Sequence, residues 1–260
     1  MSLDDIFSCR DKVALVTGAA SGLGFMFAEA MAEAGADVAC ADIDMDGLSA
    51  TVQAVNALGR RAIAIRCDVA DEEQVEQMVA DTVDAFGTID ILFNNAGIGP
   101  RSRPVHELAT EDWKKVIDVD LNGAFYCARE VLKVMVPRRT GKIINIASVW
   151  GLTGSSSTSP NPAYNAAKGG LVNLTREMGL CYAPYGINVN AICPGFIKTN
   201  IGGKKASEDT EFLEKTLKWI PMGRIGMPRE LKGLAVLLAS DASSYMCGDL
   251  IMVDGGIVAK

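Results

Sequence analysis

Seven short runs rich in β-branched and apolar residues, each followed by a stretch of helical length, constrain this chain more than any other feature. The segments 12–17, 37–42, 62–68, 89–94, 141–148, 187–193 and 249–254 read as strands. Most are apolar on both faces, which is the mark of a parallel sheet covered by helices on each side. The helix expected over 22–34 makes the first right-handed crossover. The reading is an α/β, doubly wound architecture in one domain spanning residues 1–260. Local signals agree. Thr110 caps a helix with Glu111 and Asp112 in its first turn, Pro137 and Gly141 close it, and Pro228 opens another. Two stretches, 150–162 (Ser, Thr, Gly and Pro) and 196–220 (charged and weakly patterned), read as functional loops at the carboxyl edge of the sheet.

Charge and composition narrow the function. A net charge of −7 disfavours nucleic acid, and the basic clusters Arg60-Arg61, Arg138-Arg139 and Lys204-Lys205 are only dipeptides. The apolar runs fall far short of the roughly 20 residues of a membrane span. The amino-terminal segment carries acids before its first base, unlike a secretory signal, so a cytoplasmic address is expected. Seven scattered cysteines without a Cys-x-x-Cys pair read as reduced thiols. With His106 the only histidine, no metal site is expected.

Gly18, Gly22 and Gly24 lie between the first strand and the first helix, with Ser21 and Leu23 among them. Glycines there let the backbone turn sharply and approach a pyrophosphate seated on the helix N-terminus. Asp42, followed by Ile43, ends the second strand eighteen residues after Gly24, where a carboxylate can hold both ribose hydroxyls and repel a 2′-phosphate. The expected cofactor is therefore NAD.

These motifs, in order, resemble a short-chain dehydrogenase/reductase of the classical subfamily along nearly the whole chain. The resemblance rests on the TGxxxGxG spacing, on Asp68-Val69 after the third strand, and on Asn94-Asn95-Ala96-Gly97 after the fourth. It implies a Rossmann-type sheet of about seven strands in the order 3-2-1-4-5-6-7. It assigns adenine contacts to Asp68 and Val69 and further cofactor contacts to Asn95, Ala96 and Gly97. Pro194-Gly195-Phe196-Ile197-Lys198-Thr199 matches its PGxxxT element, in which Ile197 and Thr199 hold the nicotinamide carboxamide beside Pro194 and Gly195. The last strand resembles the one that packs near a two-fold axis in the family's tetramers, so a homotetramer is expected.

The chemistry falls to Ser148, Tyr164 and Lys168. Tyr164 and Lys168 are four residues apart and share a helix face. A Lys168 cation and the positive nicotinamide of NAD⁺ both favour the phenolate; lowering a tyrosine pKa by about 3 units takes roughly 4 kcal/mol. Ser148, at the end of the fifth strand, is placed to hydrogen-bond the substrate oxygen. In the family Lys168 also binds the nicotinamide ribose, and Asn122 matches a fourth member holding a water that links the lysine to solvent. Ser148 and Tyr164 are sixteen residues apart, three more than in many members, so the intervening loop is enlarged. Ser155, Ser156, Ser157, Thr158, Ser159 and Asn161 could bind a polyol or sugar acid, while Trp150, Phe196, Trp219 and Met222 could line an apolar wall.

The expected activity is hydride transfer between NAD(H) and a secondary alcohol or ketone: a polyol, sugar acid or cyclic alcohol. The nearest alternative, a 3-oxoacyl carrier-protein reductase, usually runs with NADPH, which Asp42 opposes. An enoyl reductase would space tyrosine and lysine by seven, and an idle dinucleotide-binding scaffold would lose Tyr164 or Lys168.

Overall fold

A computed structural model describes residues 2–99, 102–155, 159–199 and 210–259. After a short turn, α1 (Leu3–Ile6), come β1 (Val13–Thr17), α2 (Gly22–Glu33), β2 (Asp37–Asp42), α3 (Met45–Ala57), β3 (Ala62–Arg66), α4 (Glu72–Phe86) and β4 (Ile91–Asn94). The second half runs through α5 (Thr110–Ile117), a π-helical turn over Asp118–Asn122, α6 (Gly123–Arg138), β5 (Gly141–Ile146), α7 (Pro162–Tyr182), β6 (Ile187–Pro194), α8 (Thr210–Leu217), α9 (Lys232–Ala239) and β7 (Leu250–Val253). The strands form one seven-stranded sheet, ordered β3-β2-β1-β4-β5-β6-β7, with every pairing parallel.

Alternation along the strands builds a core on each face. Ala14 and Val16 of β1, Ile91 and Phe93 of β4, and Ile144 and Ile146 of β5 pack toward α2 and α9, where Phe27 and Phe93 stack with centroids 4.8 Å apart. Their neighbours Leu15, Leu92 and Ile143 pack on the other face toward α4 and α6. A residue removed from one face would not be replaced from the other, because successive strand side chains point oppositely.

Two boundaries differ from expectation. Thr110 is the first helical residue of α5, and Ala109 occupies the cap position without a side-chain bond, while Glu111 and Asp112 stand in the first turn as read. α6 passes through Pro137 and ends where Arg139 takes a left-handed φ of 54°. The strand order changes direction between β1 and β4, and the loops after these two strands lie at the carboxyl edge, where doubly wound sheets take ligands.

Candidate active site

Two glycines of the loop, Gly18 and Gly24, are packed too closely for a side chain. A Cβ on Gly24 would lie 1.9 Å from the Gly18 carbonyl oxygen, and one on Gly18 would lie 2.8 Å from the Ala96 Cα. Asn95 braces the loop from β4 by donating to the Thr17 and Gly18 carbonyls at 2.8 and 3.2 Å, while Thr17 Oγ1 accepts from the Asn95 and Ala96 amides. These bonds hold the loop in shape. The start of α2 is left open: Ser21 makes no side-chain cap bond, and no acid stands in the first turn. By contrast, α4 begins with the capping Asp71 followed by Glu72 and Glu73. Uncapped amides plus the helix dipole favour an anion at the start of α2.

Asp42 closes the far side of this cradle. Its Oδ2 accepts from the Ala20 amide and its Oδ1 from the Asp44 amide, both at 3.0 Å. Ile43 beside it is exposed, Asp68 is exposed at the end of the neighbouring strand, and Val69 is buried under Gly123. At the other end, Thr199 stands over Gly22, where an added Cβ would meet its Cβ at 3.5 Å. Ile197 is held by a bridge to Gly226, and Gly195 is pressed against Asp254 beyond the end of β6, which includes Pro194. An uncapped helix start, a loop with no room for a Cβ at Gly18 or Gly24 and a carboxylate across from it fit a dinucleotide.

Ser148 follows β5, and Tyr164 and Lys168 stand on the first two turns of α7. The Ser148 hydroxyl lies close enough to the Tyr164 phenol to favour its ionised form, and accepts from the Trp150 amide at 3.2 Å. The Lys168 Nζ lies 5.5 Å from the Tyr164 ring centroid and donates to the Ile146 carbonyl at 3.0 Å. The three expected residues are therefore together.

A further residue, not singled out in the sequence, meets the lysine. Lys168 Nζ lies 3.3 Å from Asp120 Oδ2, and these side chains are 5% and 0% exposed. Asp120 Oδ1 accepts from the Ile98 amide at 2.9 Å. Asn122 donates to Asp118 Oδ1 at 2.9 Å and is half-buried. Residues two apart never share a helix face, so Asp120 facing α7 turns Asn122 away. The π turn, closed by the Gly123 amide on the Asp118 carbonyl, fixes which of the two faces inward. Asp120 had one sequence signal: an acid within a mostly apolar stretch that the topology buries.

Burial pushes the Tyr164 phenol above the usual tyrosine range; Lys168 pulls it down, and Asp120 pushes it up again. The lysine alone does not make a phenolate. Burial also works against the Lys168 charge, but the Asp120 carboxylate and the Tyr164 phenol together offset it and leave the ammonium above its ordinary value. Burial raises the Asp120 carboxyl, with Lys168 opposing.

The enlarged loop divides its polar groups. Ser155 is buried and its hydroxyl donates to Asn165 Oδ1 at 3.0 Å, so this residue ties the loop to α7. Asn161 donates to Ser159 Oγ at 3.4 Å. Ser156, Ser157 and Thr158 lie outside the described residues, as do Lys204 and Lys205. Trp150 and Phe196 meet edge to face at 5.8 Å, joining the loop to the segment after β6, while Trp219 and Met222 are exposed.

A family model described as enoyl-(acyl carrier protein) reductase matches residues 18–258. A short-chain type dehydrogenase/reductase from Mycobacterium marinum superposes with a TM-score of 0.94 at 35% identity over 100% of both chains. The chain belongs to the short-chain dehydrogenase/reductase family. Its relatives include the 2-dehydro-3-deoxy-D-gluconate 5-dehydrogenase of Pseudoalteromonas atlantica, 42% identical over 98% of each chain. A gluconate 5-dehydrogenase from Burkholderia cenocepacia, solved in complex with NADP and tartrate, matches with a TM-score of 0.93 at 34% identity over 100% of both chains. This short-chain dehydrogenase/reductase is an oxidoreductase of alcohol and ketone groups that uses a nicotinamide dinucleotide. Among the described residues, no helix is long and apolar enough to cross a membrane.

Proposed function

We propose that this protein transfers hydride between NAD(H) and a secondary alcohol or ketone of the sugar-acid or cyclic-alcohol class. The observation that carries the reading is the cluster of Ser148, Tyr164 and Lys168 at the crevice that begins with the glycine cradle. Ser148 donates a hydrogen bond to the substrate oxygen, steadying the charge that develops there. In oxidation, Tyr164 takes the hydroxyl proton as the C–H hydride leaves; in reduction it returns that proton to the new alkoxide. Lys168 holds the ribose and lends its charge to the phenol. The bound cofactor supplies the hydride acceptor or donor, and in its oxidised form a positive ring that favours the phenolate. Glycine-loop and PGxxxT backbone groups, with Thr199, orient it.

The preference for NAD rests on Asp42. Its carboxylate stands where a ribose 2′-phosphate would approach, with both oxygens pinned by backbone amides, so it cannot swing aside without losing two hydrogen bonds. The Burkholderia relative was solved with NADP, so this is a property of the chain's own residue rather than of the group. Titrating wild type with NAD⁺ and NADP⁺ by quenching of intrinsic fluorescence should give tighter NAD⁺ binding by tenfold or more, about 1.4 kcal/mol. Equal affinity, or tighter NADP⁺, would overturn this. NADH formation across a panel of sugar acids, polyols and cyclic alcohols then identifies the substrate class.

The homotetramer is supported by apolar side chains left open on and around β7, with Leu180 76%, Tyr245 102% and Met252 45% exposed. A cytoplasmic address is supported by seven free thiols, five of them buried.

A further inference from the structure

Among the described residues, Asp120 is a fully buried carboxylate that lies against a member of the site without a place in the chemistry described so far. Its Oδ2 sits 3.3 Å from Lys168 Nζ, makes no hydrogen bond, and is sealed from solvent. Gly97 leaves the space for it: a Cβ there would lie 3.0 Å from Asp120 Oδ2 and 3.5 Å from Lys168 Nζ. A buried carboxylate is costly unless paired, and an ammonium in the same place is equally costly. Lys168 therefore holds the Asp120 carboxylate in its charged form.

We propose that Asp120 is a positioning residue which, as the buried counter-ion of Lys168, sets the pH at which Tyr164 becomes a base. The inference rests on the reading of Tyr164 and Lys168 given above. The titratable and charged groups around the pair are few. α7 contributes Tyr164 and Lys168, the π turn contributes Asp120, and β6 contributes the Cys193 thiol, which burial pushes up to about 11 and so leaves neutral at working pH. With Lys168 cationic and Asp120 anionic the pair has no net charge, and the lysine's pull on the phenol is partly cancelled. Deprotonation of Tyr164 is thereby reserved for the state in which the positive nicotinamide is bound, and the cofactor-free site keeps its phenol protonated.

Two measurements test this. The first is the pH profile of kcat/KM for alcohol oxidation in wild type, Asp120→Asn and Asp120→Glu. The neutral isostere should move the rising limb to lower pH by about half a unit or more, and the charge-retaining glutamate should keep it near the wild-type position. The second uses cofactor-free protein: the tyrosinate absorbance that differs between each protein and its Tyr164→Phe counterpart should rise at lower pH in Asp120→Asn. If that variant does not fold, Asp120→Ser carries the same expectation. A limb and an absorbance rise that stay in place, or that move to higher pH, overturn the proposal. Tyr164→Phe that still turns over would instead remove the catalytic reading beneath it, and loss of cofactor binding in Asp120→Asn with an unmoved absorbance rise would reduce Asp120 to a purely structural role.

Discussion

Replacing Lys168 with methionine removes the ammonium and little of the side-chain volume, leaving Asp120 buried beside an apolar group. Its carboxylate has one hydrogen bond, from the Ile98 amide, and no access to water. Because these side chains are 5% and 0% exposed, solvent does not screen the loss. Breaking a buried pair by removing one partner costs about 3–5 kcal/mol. At ~2–4 °C per kcal/mol for a chain of this size, the melting temperature should fall by about 6–20 °C. The penalty depends on pH. Burial raises the folded carboxyl above its unfolded value, so the folded state binds the proton more tightly. Stability in Lys168→Met is therefore greatest below the ordinary carboxylate range, and falls as pH rises above about 4 until the raised folded value is passed. Scanning calorimetry of the cofactor-free protein measures this without ligand linkage. The double variant Lys168→Met, Asp120→Leu should recover most of the loss, because two apolar residues replace a buried pair at little cost. A loss under about 1 kcal/mol for the single variant, or a double variant no more stable than it, would refute the buried ion pair.

Two further substitutions probe the cradle and the loop. Gly24→Ala drives a methyl into the Gly18 carbonyl from 1.9 Å, with backbone on one side and the loop-bracing Asn95 amide 2.7 Å away on the other; it should lose about 1–3 kcal/mol of stability and most dinucleotide affinity, read by melting and fluorescence titration. Near-normal cofactor binding would mean the loop does not seat the pyrophosphate. Ser155→Ala removes the hydroxyl that donates to Asn165; it should cost about 1 kcal/mol in denaturant unfolding and leave KM across the substrate panel unchanged, whereas a selective rise in KM for polyols would place this serine in the substrate pocket.

Much of this molecule is written in local pattern. The strands could be read because each is apolar on both faces, and the glycine loop and Asp42 because their spacing along one crossover is geometric. Ser148, Tyr164 and Lys168 came from a strand end and a helix period, which survive the three extra loop residues because neither element is interrupted. What could not be read depends on contacts between distant segments. Asp120 and Asn122 are equally polar neighbours, and only the packing of a π turn against α7 decides that the acid faces the lysine. The burial of the Tyr164 phenol and the carboxylate behind the lysine are contacts of the same kind, and both oppose the pull of Lys168 on the phenol. Ser155 looked like a substrate-binding hydroxyl because loops are polar, and its burial against Asn165 appears only once the loop is folded.

The central claim is that Tyr164 moves the proton that accompanies hydride transfer. Tyr164→Phe keeps the ring and removes only the hydroxyl beside Ser148, so cofactor binding and folding should persist. Measured as NADH formation from whichever alcohol of the panel wild type oxidises, its kcat/KM should fall by at least about 10²-fold, the low end of what a positioned acid–base group contributes. A rate within a few-fold of wild type, with cofactor still bound, would contradict the account.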